Sequence, residues 1–295
     1  MSNIESLHHM KDSTIAYFGV PGSFGHLMAV RHFGKDNIFV GTQNQEEVFK
    51  CMDRGDAQYG VVTLENNWVG PLRENFDHIL AHKVFIVGDE YFIAPHHLIG
   101  VKVKSKTIEE RIAMVRKVLS HPKSLEQCST FLAAHPFMEP TVFSDTGRSA
   151  QYVADMGDPS IAAIATREAA HIYNLDILCE NVHSSSYNIT RYGFIGREEY
   201  FDPEANKGSI IATVEHKPGQ LFRLLEVLAR DDCNVTWIEQ RLLGEDLLNC
   251  LIFVDFEFPG YAKIDYNKTF EDLRSVVKDL RVLGVYRSVQ PGTLH

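Results

Sequence analysis

At 295 residues, the chain is longer than one hydrophobic core usually needs, which points to at least two folding units. Hydrophobic residues make up 44% and charged residues 23%, the composition of an ordinary globular protein rather than of a disordered chain, a fibre or a membrane protein. Lys and Arg total 29 against 39 Asp and Glu, a net charge of −10. An acidic body repels a phosphate backbone, so no nucleic-acid partner is expected. An anionic ligand would need a local pocket of cations or N–H donors working against that field.

Residues 1–14 are polar and mixed in charge, without the apolar core of a secretory signal. No window approaches the roughly 18 consecutive apolar residues of a spanning helix, so no membrane association is expected. Cys51, Cys128, Cys179, Cys233 and Cys250 are odd in number, widely spaced and set among apolar neighbours. They read as reduced core thiols of a cytoplasmic protein.

Up to about residue 198, strand-like and helix-like segments alternate. Strands are expected at Ile15–Phe18, Phe39–Val40, Tyr59–Leu64, Phe85–Gly88, Tyr91–Ile93, His97–Val101 and Ile161–Ala165. Helices are expected at Leu27–Phe33 (stopped by Gly34), Glu46–Asp53, Thr107–Val118 and Arg148–Met156 (ended by Gly157). Another is expected at Ser124–Ala133, with Ser124 and Gln127 at capping-box spacing. This βα alternation argues for a largely parallel α/β architecture with ligands at the carboxyl ends of strands. Residues 199–208 are polar, contain Pro203 and Gly208, and read as a linker.

Beyond the linker, Ser209–Glu215 is a strand, Lys217-Pro218-Gly219 a turn and Leu221–Arg230 an amphipathic helix. Val235–Leu243 and Cys250–Phe258 are strands flanking a Gly244-Glu245-Asp246 hairpin turn. Thr269–Leu280 is a helix and Val282–Val289 a last strand. The order βαββαβ is that of the ferredoxin-like split unit, which by itself assigns no function.

Several chemistries lack their motifs. The loop Gly19-Val20-Pro21-Gly22-Ser23-Phe24-Gly25 has the wrong glycine spacing for a dinucleotide fingerprint, and no Walker lysine follows. It is either a plain tight turn or a helix N-terminus presenting N–H groups to a carboxylate or phosphate. Fourteen histidines suggest a metal, but adjacent His96 and His97 on a strand point to opposite faces, and no metal-binding spacing appears. Glu65-Asn66-Asn67 ends a strand where α/β proteins keep working groups, or is a polar turn. Ser120-His121-Pro122 precedes the helix carrying Gln127, and Ser120 and Gln127 are candidates to face a ligand. Asp145 and Thr146 open a helix as caps. The densest polar run, residues 184–192, holds Asn188, Thr190 and Arg191, and Arg191 is a carboxylate clamp or a structural ion pair.

In this order, these segments resemble the prephenate dehydratase family along essentially the whole chain, from about Thr14 to Val289, with a C-terminal part that looks like an ACT domain. The glycine-rich loop is matched by Gly19, Gly22, Ser23 and Phe24, with Pro21 shifted within it. The Glu-Asn-Ser motif is matched by Glu65 and Asn66, and the Ser-His-Pro…Gln-Cys stretch by Ser120, His121, Pro122, Gln127 and Cys128. Thr146 represents the Ser-Thr helix start. The Asn-x-Thr-Arg-Phe signature stands as Asn188-Ile189-Thr190-Arg191-Tyr192.

The resemblance implies a two-lobed, periplasmic-binding-protein-like catalytic domain over 13–198, lobe 1 being about 13–95 plus 182–198 and lobe 2 about 96–181. A linker over 199–208 and a ferredoxin-like ACT regulatory domain over 209–291 follow. It implies conversion of prephenate to phenylpyruvate, a step toward phenylalanine, by a homodimer or homotetramer. Aromatisation drives the reaction, so no cofactor and no metal is required. Thr190 would donate to the departing hydroxyl and Arg191 would clamp a carboxylate. Ser23, Asn66, Ser120, Gln127, Thr146 and Asn188 would bind substrate, and Glu65 would orient Asn66 or supply protons.

The sequence departs from the family at Gly25 and Asn67, where serine is usual, and at Tyr192, where phenylalanine is usual. The effector residues of the ACT domain would be Gly219, Gln220, Leu221 and Glu239, binding phenylalanine or another amino acid. Gln220 replaces an alanine and Gln240 a serine, so a weakened phenylalanine response is expected. Arogenate dehydratase, acting on the amino counterpart of prephenate, is the enzymatic alternative. A non-catalytic small-acid sensor is the alternative from another class.

Overall fold

The structure, a computed structural model, describes residues 12–93, 95–104, 106–184, 189–243, 246–259 and 266–289. The chain groups into two compact units. The first holds the chain up to His82 together with Tyr91–Tyr192, and the second holds Lys83–Glu90 and Gly193–Thr293. Residues 193–198, read from the sequence with the catalytic part, thus fall in the second unit.

The first unit opens with β1 (Thr14–Phe18), whose Ile15-Ala16-Tyr17 core is buried, and α1 (Phe24–Phe33), capped by Ser23 and ended at Gly34 with φ +83. β2 (Ile38–Thr42), α2 (Gln45–Arg54) and β3 (Tyr59–Asn66) follow. β2 and β3 flank β1 in parallel, with Ala16 opposite both Val40 and Gly60. β4 (Gly70–Pro71) folds back on the end of β3 and leads into α3 (Arg73–Ala81), a helix without a side-chain cap that the sequence pattern did not mark. β5 (Phe85–Ile93), whose residues up to Glu90 belong to the second unit, runs unbroken where two strands were expected.

A second sheet with its helices follows β5 in this unit, and ten segments build it, of which the first seven come next. They are β6 (His97–Gly100), α4 (Ile108–Met114), β7 (Lys117–Ser120), α5 (Pro122–Gln127), α6 (Ser129–Ala134), β8 (Glu139–Val142) and α7 (Thr146–Met156). β9 (Ile161–Ala165), α8 (Arg167–Ile172) and β10 (Asp176–Cys179) complete it. The order is β10-β6-β9-β7-β8, parallel among β7, β8 and β9 but antiparallel at β6. The expected parallel arrangement therefore holds only in part. Strand alternation splits the core in two. Leu98, Val118, Ala162 and Ile164 pack with Leu125 and Leu132 on one face, and Ile99, Leu119, Ala163 and Ala165 with Ala150 and Val153 on the other.

Two expected helices of the first unit differ, and in the second unit the helix expected over Thr269–Leu280 spans Tyr266–Val276, with Leu280 already in a strand. Thr107 does cap a helix, but the chain turns extended at Val115, and Val118 lies in β7 rather than in a helix reaching that far. Ile112, Val115 and Val118 are spaced three apart, which fits a helix face as well as a strand entered after a turn. The helix expected from Ser124 starts earlier, at Pro122, with His121 Nδ1 accepting from Lys123 N as the cap, and breaks at Cys128. Ser124 is thus inside a helix, not its cap. β11 (Ile189–Gly196) carries Ile189–Tyr192 in the first unit, beside β3.

The second unit has the anticipated βαββαβ order. It comprises β12 (Lys207–Glu215), α9 (Gln220–Arg230), β13 (Asn234–Leu243), β14 (Asp246–Glu257), α10 (Tyr266–Val276) and β15 (Asp279–Tyr286). The sheet order is β13-β14-β12-β15, antiparallel throughout. Ile210, Ala212 and Val214 pack on Leu224, Val227, Leu228, Phe270 and Leu273. Lys207, read as linker, instead starts β12 fully buried, its Nζ 3.0 Å from Asp89 Oδ2. A final short strand, β16 (Ser288–Val289), pairs in parallel with β5. The turn residues Gly244 and Glu245 lie outside the described residues. No helix among the described residues is long and apolar enough to cross a membrane.

Candidate active site

A cavity of about 270 Å³ in the first unit gathers side chains from both of its sheets. The glycine-rich loop forms one wall. Gly19 and Gly22 have φ +111 and +87, a region that L side chains rarely adopt. A Cβ on Gly22 would stand 2.8 Å from Ala169 Cα, so helix α8 presses directly on the loop. Thr166 Oγ1 donates to Gly22 O at 2.9 Å and Tyr173 OH to Pro21 O at 2.8 Å, which fixes the loop further. Ser23 caps α1 by accepting from His26 N and lines the cavity. Gly25 also lines it, and a Cβ there would sit 2.6 Å from Phe18 O. The departure from serine at this position therefore lets α1 close tightly on β1.

The opposite wall is the end of β3 against the start of β11. Asn66 Nδ2 donates to Thr190 Oγ1 at 2.9 Å and to Ile189 O at 3.3 Å. Asn67 N donates to Ile189 O at 3.0 Å, and Ile189 N returns a bond to Asn67 Oδ1 at 2.9 Å. The asparagine in place of serine thus clamps the residue next to Thr190. Because Asn66 supplies a donor to the threonine oxygen, the Thr190 O–H can point to a ligand. Tyr192, two residues on and on the same face of the strand, also lines the cavity. Burial pushes its phenol up, so it stays neutral.

From the second sheet, α5 brings Lys123, Ser124, Glu126 and Gln127, and the start of α7 brings Asp145 and Thr146. Asp145 accepts from Arg148 N at 2.8 Å as the helix cap, and Arg148 Nε stands 3.2 Å from it. Lys123 Nζ lies 3.5 Å from Glu126 Oε2, with both side chains more than half exposed. His121 is held neutral at lower pH than usual by burial, to which Lys123 adds and which Asp145 opposes.

Of the residues singled out from the sequence, Ser23, Asn66, Gln127, Thr146 and Thr190 line the cavity. Three do not. Ser120 is fully buried and donates to Ile164 O at 2.7 Å, tying β7 to β9. Glu65 is half-buried on the edge of β3, opposite Pro71. Arg191 is 1% exposed and packs over the Tyr91 ring at 5.8 Å. Alternation explains Arg191, because the strand that turns Thr190 and Tyr192 to the cavity turns Arg191 to the other face. Arg191 thus stands on the face of β11 turned away from the cavity lining. Asn188 lies outside the described residues.

His121, Lys123, Glu126, Asp145, Gln45, Thr63 and Trp68 line the cavity without having been chosen. For Asp145 the signal was present as a cap following a strand, a position that also opens a helix N-terminus on a ligand. The residues expected to bind an effector lie in the second unit. Gly219 has φ +85 and precedes α9, Gln220 and Glu239 are half-buried, and Leu221 is exposed. All five cysteines are free, and burial pushes the Cys128 thiol up to about 12.

The family model described as prephenate dehydratase matches residues 15–200. A bifunctional chorismate mutase/prephenate dehydratase of Aquifex aeolicus is 30% identical over 278 residues, spanning 94% of this chain and 74% of the relative. Arogenate dehydratase 2 of Petunia hybrida is 29% identical over 292 residues, spanning 93% and 71%. Among solved structures, GqqA, described as a novel type of quorum quenching acylase, superposes with a TM-score of 0.79 at 24% identity, over 93% of this chain and 98% of that one. Prephenate dehydratase of Arthrobacter aurescens in complex with L-Phe gives a TM-score of 0.76 at 20% identity, over 93% and 89%. At these identities the likeness of the two structures shows the fold.

Proposed function

Because the chain belongs to the prephenate dehydratase family, we propose that this cavity converts prephenate to phenylpyruvate, carbon dioxide and water. The carrying observation is the Thr190 hydroxyl, held by Asn66 at 2.9 Å inside a cavity walled by Phe18, Phe24, Val61 and Leu72. In the reaction the bond from the ring to its carboxylate breaks and its electron pair enters the ring. The far C–O bond then breaks, and the hydroxyl leaves as water with one added proton. Thr190 donates its O–H to that oxygen as charge develops, and the apolar walls strengthen the bond by excluding water. One proton is consumed per turnover, and solvent supplies it.

With Arg191 turned away, the substrate carboxylates meet the N-terminal ends of α1 and α7, where Ser23, Phe24, Gly25 and Thr146 line the cavity, and Lys123 at its rim. Phenylpyruvate formation from prephenate tests the reading. Thr190→Ala is expected to lower turnover about 10²- to 10³-fold. No product from the wild type overturns the reading, and undiminished product from the variant overturns the threonine's role.

A second reading is favoured by one observation. Two carboxylates, Glu126 and Asp145, line the same cavity and would suit the ammonium group of arogenate. Comparing kcat/KM for the two substrates decides between them, and Asp145→Asn is expected to shift the ratio toward prephenate.

The βαββαβ part of the second unit is proposed as an ACT regulatory domain over 209–291, following a catalytic part over 13–198 and the segment 199–208. Gly219, Gln220, Leu221 and Glu239 would take phenylalanine or another amino acid in a homodimer or homotetramer of a cytoplasmic enzyme. Gln220 makes a weakened phenylalanine response the expected outcome. Full, tight inhibition in a phenylalanine titration overturns it.

A further inference from the structure

The turn between β3 and β4 displays two bulky apolar side chains to solvent. Trp68 is 54% and Val69 58% exposed, although both border the cavity. Exposed apolar side chains are ordinary on a protein surface, but here two adjacent ones border a cavity, where a ligand could cover them.

The backbone beneath it is fixed. Asn66 Oδ1 accepts from Trp68 N at 3.0 Å and from Val69 N at 3.3 Å, closing the turn. The other end of the same amide holds the Thr190 hydroxyl. Asn67 ties the turn to Ile189 through its reciprocal pair of bonds, and Gly70 at φ +81 lets the chain reverse. One amide therefore sets the position of the Trp68 backbone relative to the Thr190 hydroxyl.

We propose that Trp68 is a specificity-determining residue that covers the unsaturated ring of the bound substrate, an inference that rests on the activity proposed above. The ring of such a substrate is its one apolar part, and both carboxylates must be left to polar groups. Lys123 and Glu126, which also line the cavity, are charged, whereas Trp68 and Val69 are its exposed apolar lining residues and are free to add cover to the buried walls. Covering the exposed indole adds aromatic contact without moving the backbone.

The chain has two tryptophans, and replacing the other, Trp237 on β13, leaves Trp68 as the single indole reporter. Trp68→Ala is expected to raise KM for prephenate about tenfold and to change kcat less than about twofold. Trp68→Phe, which keeps a ring, is expected to raise KM only about two- to threefold. In a Trp237→Phe, Thr190→Ala double variant, prephenate is expected to reduce acrylamide quenching of Trp68 by about half or more. A KM for Trp68→Ala within about twofold of wild type, or quenching unmoved by prephenate, overturns the proposal while wild-type phenylpyruvate formation leaves the activity standing. A wild type that forms no phenylpyruvate removes the activity, and this proposal with it.

Discussion

Two polar clusters built from similar residue types behave oppositely. Around Thr190, the threonine O–H is left over for a ligand once Asn66 has bonded its oxygen. Asn66 donates to the threonine oxygen, Ser23 and Asp145 cap helices, and each still lines a cavity open to solvent. In the second unit, Lys207 and Asp89 lie 3.0 Å apart with both side chains fully buried. Tyr286 OH stands 3.5 Å from Asp89, and Ser209 Oγ bonds both Tyr286 OH and Asp255 Oδ1. There, hydroxyls, carboxylates and an ammonium bond one another in the interior, away from the cavity. Polar residue type therefore does not mark a site. Bonding capacity left over beside a cavity does.

The largest expected effect breaks the closed cluster. Lys207→Ala strands the Asp89 carboxylate in a dry interior and is expected to cost about 3–5 kcal/mol of stability. Lys207→Met combined with Asp89→Leu removes both charges, keeps the volume and is expected to recover most of that loss. Urea unfolding of the two variants makes the comparison, and equal destabilisation would show that the pair's charges are not what matters. Thr190→Ala is the counterpart, losing turnover while stability stays within about 0.5–1 kcal/mol.

Arg191 extends the comparison to a single strand. Arg191→Met is expected to cost about 2 kcal/mol, from the lost stacking of a desolvated guanidinium on Tyr91, while KM for prephenate stays nearly unchanged. A KM rise of tenfold or more in folded protein would restore the clamp.

This residue also shows what the sequence could and could not carry. Period-2 alternation makes Thr190 and Arg191 face opposite ways on any strand, but which face borders the cavity depends on the neighbouring sheet. Local signals served where they were complete. Examples are the apolar run of β9, the Asp145 cap and Gly157 stop of α7, and the amphipathic face of α9. They failed where two periods coincide, as at Val115 to Val118. They also failed where an element has no cap, as at the start of α3. The Trp68 turn was illegible because an exposed tryptophan acquires meaning only from the cavity beside it. Lys207 read as linker because the charge that buries it, Asp89, lies 118 positions away.

Ser120 gives a smaller effect. Its hydroxyl is spent on Ile164 O, so Ser120→Ala is expected to cost about 1–2 kcal/mol and to leave KM unmoved. A KM change without loss of stability would return Ser120 to the substrate.

The smallest effect separates a histidine at the cavity from those elsewhere. Burial lowers the pKa of His26, His97 and His121 from 6.5 in the folded state. The unfolded chain, titrating near the ordinary value, then binds more protons as pH falls below about 6.5, so stability declines there and is level above it. Melting temperature is expected to drop between pH about 7.5 and about 5.5. His121→Asn keeps a capping acceptor for Lys123 N and removes one of the three titrations, so the drop should shrink without disappearing. An unchanged drop would mean that His121 is protonated as easily in the folded protein as in the unfolded one. Its imidazole would then be a cation at the cavity rim, adding to Lys123 as a partner for substrate carboxylates at low pH.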